Sequence, residues 1–183
     1  MITKVQLRKK FFKLRKKNYF EVKTNFFNPI FSIIKKKYKK ELVYLSIYYP
    51  SNFELNTLNI YKHLSLKKIQ ILLPVVSKKN MKFYKWQYRE PLNVNTFGML
   101  EPKKDKNYIV PNIMLVPLLA FNKNKHRLGY GGGYYDNYLK KYLKKNKSIL
   151  TIGVAFSFQK YDNLPVTKKD VSLNYIITEK GLA

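Results

Sequence analysis

Residues 113–121 read IMLVPLLAF, nine consecutive apolar residues with no polar interruption. A strand that faces water on one side alternates apolar and polar side chains, so an unbroken run marks a strand covered on both faces. The same reading recurs outward from it. Residues 69–76 and 149–156 form two more dense apolar runs, residues 42–49 read as a strand, and residues 175–178 read as a last one.

Helical periodicity fills the intervals. Leu7, Phe11 and Leu14 recur at i, i+4 and i+7, with Thr3 placed to cap. Phe26, Phe27, Ile30, Phe31, Ile34 and Tyr38 give a second apolar face, with Asn25 or a near neighbour as cap and Pro29 in the first turn. Residues 57–64 suit a short helix, and Tyr135, Tyr138, Leu139, Tyr142 and Leu143 mark a third long one. This alternation predicts one α/β domain over residues 1–183, a three-layer α/β/α arrangement around a mostly parallel central sheet. Residues 78–110 resist assignment, because they mix Trp86, Pro91 and Pro102 with basic and aromatic residues; long irregular segments of this kind are usually functional or disordered.

The formal charge of +27 comes from 37 Lys and Arg against 10 Asp and Glu, which favours anionic ligands. The lysines are scattered through every segment, so they read as a solvated surface; a dedicated nucleic-acid partner is not expected, although that surface could bind nucleic acid weakly. With no cysteine, disulfides and thiolate metal sites are excluded, in keeping with a reducing, cytoplasmic setting. The basic amphipathic start lacks a signal-peptide core, and no apolar run approaches the ~20 residues of a membrane span.

Chemistry concentrates in residues 127–136, RLGYGGGYYD, where four glycines fall within five residues between an apolar strand and an amphipathic helix. Glycines admit positive φ and let a phosphate approach the backbone, and the following helix start adds amide donors and the positive end of its dipole. Arg127 can fork two phosphate oxygens and Asp136 can hold a magnesium ion that bridges them. A surface turn ending in an N-cap aspartate fits the same composition. Neither the Walker spacing nor the dinucleotide fingerprint is present.

This decapeptide resembles the signature of the 5-formyltetrahydrofolate cyclo-ligase family, or methenyltetrahydrofolate synthetases. The likeness extends in order through IYYPSNFELNT (47–57), FGMLEP (97–102), VPLLAF (116–121), IGVAFSFQ (152–159), residues 164–170 and IITEKG (176–181). It implies an ATP- and Mg2+-dependent cyclisation of 5-formyltetrahydrofolate, with or without a polyglutamate tail, to 5,10-methenyltetrahydrofolate. In that scheme the formyl oxygen attacks the γ-phosphate, the 10-nitrogen closes on the activated carbon, and ADP and phosphate are released. No side-chain nucleophile is needed.

The resemblance also assigns roles. Lys4 and Arg8, in a Lys-x-x-x-Arg spacing on one helical face, would contact ATP together with Arg127, Leu128, Gly129, Tyr130, Gly131, Gly132, Gly133, Tyr134 and Tyr135. Tyr49 and Glu54 match folate-contacting positions, and Met81, Phe83 and Trp86 resemble the flat apolar region beside the pterin, with residues 130–134 also facing the substrate. Arg127, Tyr134 and Asp136 would form the catalytic group. Asp136 and Asp170 match the metal positions. Asn122 departs from an expected aspartate, and His126 stands where the family varies; His63 and His126 both read as exposed and noncatalytic. Asp136→Ala and Arg127→Ala are expected to abolish turnover with the fold intact.

Overall fold

The computed structural model describes residues 2–39, 41–62, 68–77, 80–143 and 149–182. Helix α1 spans Lys4–Asn18, and its start is fixed by Thr3: the Thr3 Oγ1 accepts from the Gln6 amide at 3.2 Å while the Gln6 Oε1 accepts from the Thr3 amide at 2.8 Å. Two otherwise unpaired donors are thereby satisfied. Helix α2 spans Asn28–Tyr38 with Pro29 in its first turn, as expected. Its cap moves from Asn25 to Phe27, which offers no side-chain acceptor, because a 3-10 turn at Thr24–Phe27 comes first. That turn drives the Phe26 and Phe27 rings into the core, 5.1 Å apart and edge to face. Burial here outweighs a capped start.

Seven strands form the central sheet in the order β11-β10-β9-β6-β1-β2-β3. They are β1 Val43–Ser46, β2 Ile69–Ser77, β3 Asn80–Lys85, β6 Ile113–Pro117, β9 Leu150–Val154, β10 Tyr175–Thr178 and β11 Gly181–Leu182. The pairs from β10 through β9, β6 and β1 to β2 are parallel, and an antiparallel hairpin closes each edge. Residues of β6 show why the runs are apolar without alternation: Ile113 and Leu115 enter the core beneath α2, and Met114 and Val116 enter the opposite core. Helix α3, Tyr134–Leu143, supplies Tyr138 and Leu139 to that opposite core. The sheet is therefore covered on both faces.

The run 113–121 is not one strand. It breaks after Pro117, which has no amide to continue the ladder, and Ala120–Phe121 forms β7, paired with β8 at Arg127–Leu128. Helix α1 packs there, with Leu7 and Phe11 against Leu119, Ala120 and Leu128. The segment 78–110 is more ordered than its composition suggests. From Asn80 it contains β3 and then a hairpin of β4, Leu92–Val94, and β5, Leu100–Pro102; residues 78 and 79 lie outside the described residues. The short helix expected at 57–64 is a 3-10 helix at Thr57–Lys62, and His63 and Leu64 lie outside the described residues. Among the described residues no helix is long and apolar enough to cross a membrane.

Candidate active site

A cavity of about 460 Å3 opens beyond the carboxyl ends of β1, β2 and β6, the position where open parallel sheets place ligands. Its floor includes Pro74 and Pro117; one wall is the segment after β1 with Tyr48, Tyr49 and Glu54, and the other is the glycine loop with the first turn of α3. Met81, Phe97 and Met99 add apolar surface at the side. An apolar-lined space with a few convergent polar groups suits a ring-bearing ligand.

The glycine loop is shaped by specific needs. Gly131 and Gly133 have φ of +108° and +68°, where a Cβ is strained. Gly132 is tight for another reason, since a Cβ there would stand 2.7 Å from the Tyr134 ring. Arg8 reaches the loop from α1: its Nε donates to the Gly129 carbonyl at 2.9 Å, and its guanidinium lies 3.4 Å from where a Gly131 Cβ would stand. The α3 start faces the cavity through Tyr134, Tyr135 and Asp136. The Tyr135 hydroxyl is buried there without a hydrogen-bond partner among the described residues.

Arg127 is 7% exposed, and its Nη2 lies 3.0 Å from Asp136 Oδ1. Burial lowers the guanidinium's affinity for its proton, and Asp136 opposes that shift. The Val171 amide also donates to Asp136 Oδ1, at 3.2 Å, so the residue following Asp170 touches the first aspartate. Asp170 itself is engaged: Lys4 Nζ donates to both its oxygens at 2.8 and 2.6 Å, and the Thr167 amide and hydroxyl donate to Oδ2. Burial pushes Asp170 up, but Lys4 and Thr167 outweigh it and hold the carboxyl below its ordinary value.

Across the cavity, Glu54 is buried and receives the Tyr130 hydroxyl at 2.5 Å on Oε1 and the Ser51 amide at 2.9 Å on Oε2. Burial raises its proton affinity, which the hydrogen bonds from Tyr130 and Ser51 and the charge of Arg15 only partly offset, so the carboxyl sits above its ordinary value.

The structure thus gathers Arg127, Gly129, Tyr130, Gly132, Gly133, Tyr134, Tyr135, Asp136, Tyr49, Glu54 and Met81 around one cavity, with Arg8 and Gly131 directly behind the loop. Leu128 is elsewhere, buried beneath α1. Lys4 and Asp170 pair with each other beside the Arg127–Asp136 pair. Phe83 and Trp86 do not line the cavity. Phe83 is fully buried against Tyr138, and Trp86 lies in the α2 core, edge-on to Tyr49 and bonded through Nε1 to the Glu90 carbonyl. Sequence reasoning did not anticipate Tyr48, Phe97, Met99 and Arg15 at or behind this site. His126 is half-buried, and Asn122 accepts the amides of Asn124 and His126 to close the β7–β8 turn, a task its Oδ1 performs as a carboxylate would.

Among the described residues no group of three or more His, Cys, Asp or Glu could hold a metal by itself. A magnesium ion does not require one, since it takes one or two carboxylates and completes its shell with phosphate and water oxygens. Asp136 fits that role, because both contacts described for it use Oδ1 and its side chain is 27% exposed.

The chain is similar to known proteins of one family. The model of the 5-formyltetrahydrofolate cyclo-ligase family matches residues 3–179. The 5-formyltetrahydrofolate cyclo-ligase of Haemophilus influenzae is 32% identical over 136 residues, 70% of this chain and 72% of that protein. That of Mycoplasma genitalium is 36% identical over 138 residues, 73% of this chain and 70% of the relative. Among solved structures, the 5,10-methenyltetrahydrofolate synthetase of Aquifex aeolicus superposes with a TM-score of 0.73 at 28% identity, covering 99% of this chain and 92% of its own. The one from Mycoplasma pneumoniae has a TM-score of 0.70 at 24% identity, covers 96% and 98%, and supports the fold. With a match over almost its whole length, the chain belongs to the 5-formyltetrahydrofolate cyclo-ligase family.

Proposed function

We propose that this protein converts 5-formyltetrahydrofolate to 5,10-methenyltetrahydrofolate, using ATP and Mg2+ and releasing ADP and phosphate. The observation that carries the reading is the division of one cavity: a glycine loop with a helix start and Arg127 on one wall, Arg8 behind that loop, and the buried acid Glu54 among aromatic rings on the other. The first wall suits a polyphosphate and the second an amino-pyrimidine ring.

ATP would supply a phosphoryl group that turns the formyl oxygen into a leaving group, so that the 10-nitrogen can close the ring and expel phosphate. The chain's own task is to position and neutralise. The amides of residues 129–135 would donate to phosphate oxygens, with Arg8 and Arg127 adding charge from behind and beside them. Asp136 would share in holding magnesium, whose contribution is to neutralise phosphate charge. Lys4, paired with Asp170 close to the Arg127–Asp136 pair, would join that group. Glu54 would accept from the pterin's amino edge, and Tyr48, Tyr49, Met81 and Phe97 would pack on its faces. A polyglutamylated substrate and a cytoplasmic setting belong to the same reading.

Near-ultraviolet absorbance tests it. Purified protein mixed with 5-formyltetrahydrofolate, magnesium and ATP should generate the methenyl product, and omission of ATP should prevent it. Well-folded protein that yields no product over a range of pH and salt would overturn the proposal.

A further inference from the structure

Arg15 lies in the last turn of α1, among lysines that face water, yet it is 1% exposed. Its contacts span the molecule. Nη1 donates to the Tyr130 hydroxyl oxygen at 2.6 Å and to the Leu118 carbonyl at 3.4 Å, and Nη2 donates to the Asn52 carbonyl at 2.6 Å. Its guanidinium carbon also lies 5.5 Å from the centre of the Tyr130 ring. The Tyr130 hydroxyl, having accepted from Arg15, donates its own hydrogen bond to Glu54 Oε1. A chain of charge-assisted bonds therefore runs from the helix through the glycine loop to the acid on the opposite wall.

A second observation concerns the loop that carries Glu54. Asn52 and Phe53 have φ of +50° and +62°, a left-handed conformation that is costly for a phenylalanine. The Asn52 carbonyl bound by Arg15 sits inside this strained turn. Burying a guanidinium is expensive unless it is well bonded, and Nε of Arg15 has no partner among the described residues. An apolar residue would fill this place at lower cost to folding.

Resting on the cyclo-ligase reading, we propose that Arg15 is a positioning residue for substrate recognition: it fixes the strained 51–54 turn and aims the Tyr130 hydroxyl at Glu54, so that one Glu54 oxygen is held and the carboxylate is presented to the folate ring. Besides Arg15 on α1, the groups facing Glu54 are Tyr48 after β1, Tyr130 in the glycine loop, Ser51 in its own turn and Tyr135 on α3. Arg15 is the cation among them, so its loss should make Glu54 harder to ionise.

Arg15→Met and Arg15→Lys, assayed for methenyl formation with the wild-type protein alongside, separate this role from a structural one. Removal of a charge-assisted bond predicts a KM for 5-formyltetrahydrofolate raised by about tenfold to a hundredfold in Arg15→Met, with kcat and the KM for ATP changed much less. The acidic limb of kcat/KM should move to higher pH in Arg15→Met, and Arg15→Lys should recover part of both effects. Tyr130→Phe combined with Arg15→Met should cost less than the sum of the two singles. Wild-type turnover with an Arg15→Met KM and pH profile equal to wild type would overturn the proposal while leaving the cyclo-ligase reading in place. So would failure of both Arg15→Met and Arg15→Lys to fold, since Arg15 would then serve the fold. Absence of wild-type turnover would instead sink the reading on which the proposal rests.

Discussion

Lys4 and Asp170 are 166 residues apart in sequence, and the lysine Nζ lies 2.6 Å from the aspartate Oδ2. The pair ties the first turn of α1 to the loop before β10, and the next residue, Val171, bonds both Asp136 and Arg127. Two cation–carboxylate pairs therefore share one edge of the glycine loop.

This pair has a pH signature. Asp170 is held below its ordinary value by Lys4 and Thr167, so it contributes stability above the unfolded value of about 3.9 and loses it as pH falls through the lower folded value. Asp170→Asn is expected to lower the melting temperature at neutral pH by the equivalent of about 1 kcal/mol or less, because both side chains are partly exposed. The difference from wild type should vanish in strong acid. A constant difference at every pH would show that the pair contributes nothing through its charge.

The Arg127–Asp136 pair adds a stability cost to the loss of turnover expected for Asp136→Ala. Arg127 is nine-tenths buried, and removal of its carboxylate leaves a guanidinium charge in the interior. Asp136→Ala is expected to abolish turnover and also to lose roughly 1–3 kcal/mol in urea denaturation. Arg127→Met combined with Asp136→Ala should be more stable than Asp136→Ala alone, because the orphaned charge goes too. Equal stability of the single variant and wild type would contradict the buried-pair account.

Gly131 offers a third test. Its φ of +108° makes Gly131→Ala strained, while the added methyl would only touch the Arg8 guanidinium, whose carbon lies 3.4 Å from where that Cβ would stand. Backbone strain of about 1–3 kcal/mol is expected, with a raised KM for ATP and a smaller change in the KM for folate. An unchanged KM for ATP would remove the Gly131 backbone from the nucleotide site.

Legibility followed the range of the interactions. The parallel strands were readable because burial on two faces leaves contiguous apolar residues such as 71–73 and 113–116. The loop 127–136 was readable because glycine positions report backbone geometry directly. Strands β4 and β5 are three residues each and mostly exposed on β4, so no periodicity could form; the Asn95–Gly98 turn, where Asn95 Oδ1 accepts from the Phe97 and Met99 amides, was the available signal. Arg15 left no local trace at all. Its partners lie 37, 103 and 115 residues away, and its neighbours Lys13, Lys16 and Lys17 make it look like one more surface cation. Trp86 shows the converse: the family resemblance suggested a surface beside the pterin, and its edge-on packing with Tyr49 and Tyr61 uses that ring for the core.

Glu54 sets function against stability. Burial raises its proton affinity above that of an ordinary glutamate, so an ionised Glu54 is unfavourable to the folded state, while the amino edge of a pterin needs an acceptor there. The raised folded value means that stability is retained below the unfolded value of about 4.3 and falls as pH rises through the folded value. Glu54→Gln, which cannot ionise, should therefore be at least as stable as wild type at neutral pH, and that advantage should shrink in acid. Its KM for 5-formyltetrahydrofolate should nevertheless rise by about tenfold or more, and the acidic limb of kcat/KM, expected above the ordinary glutamate range in wild type, should flatten. Thermal melts and initial rates over the same pH series measure both halves. A Glu54→Gln variant that is less stable at neutral pH and unchanged in KM would remove Glu54 from the folate site and make its burial a matter of folding alone.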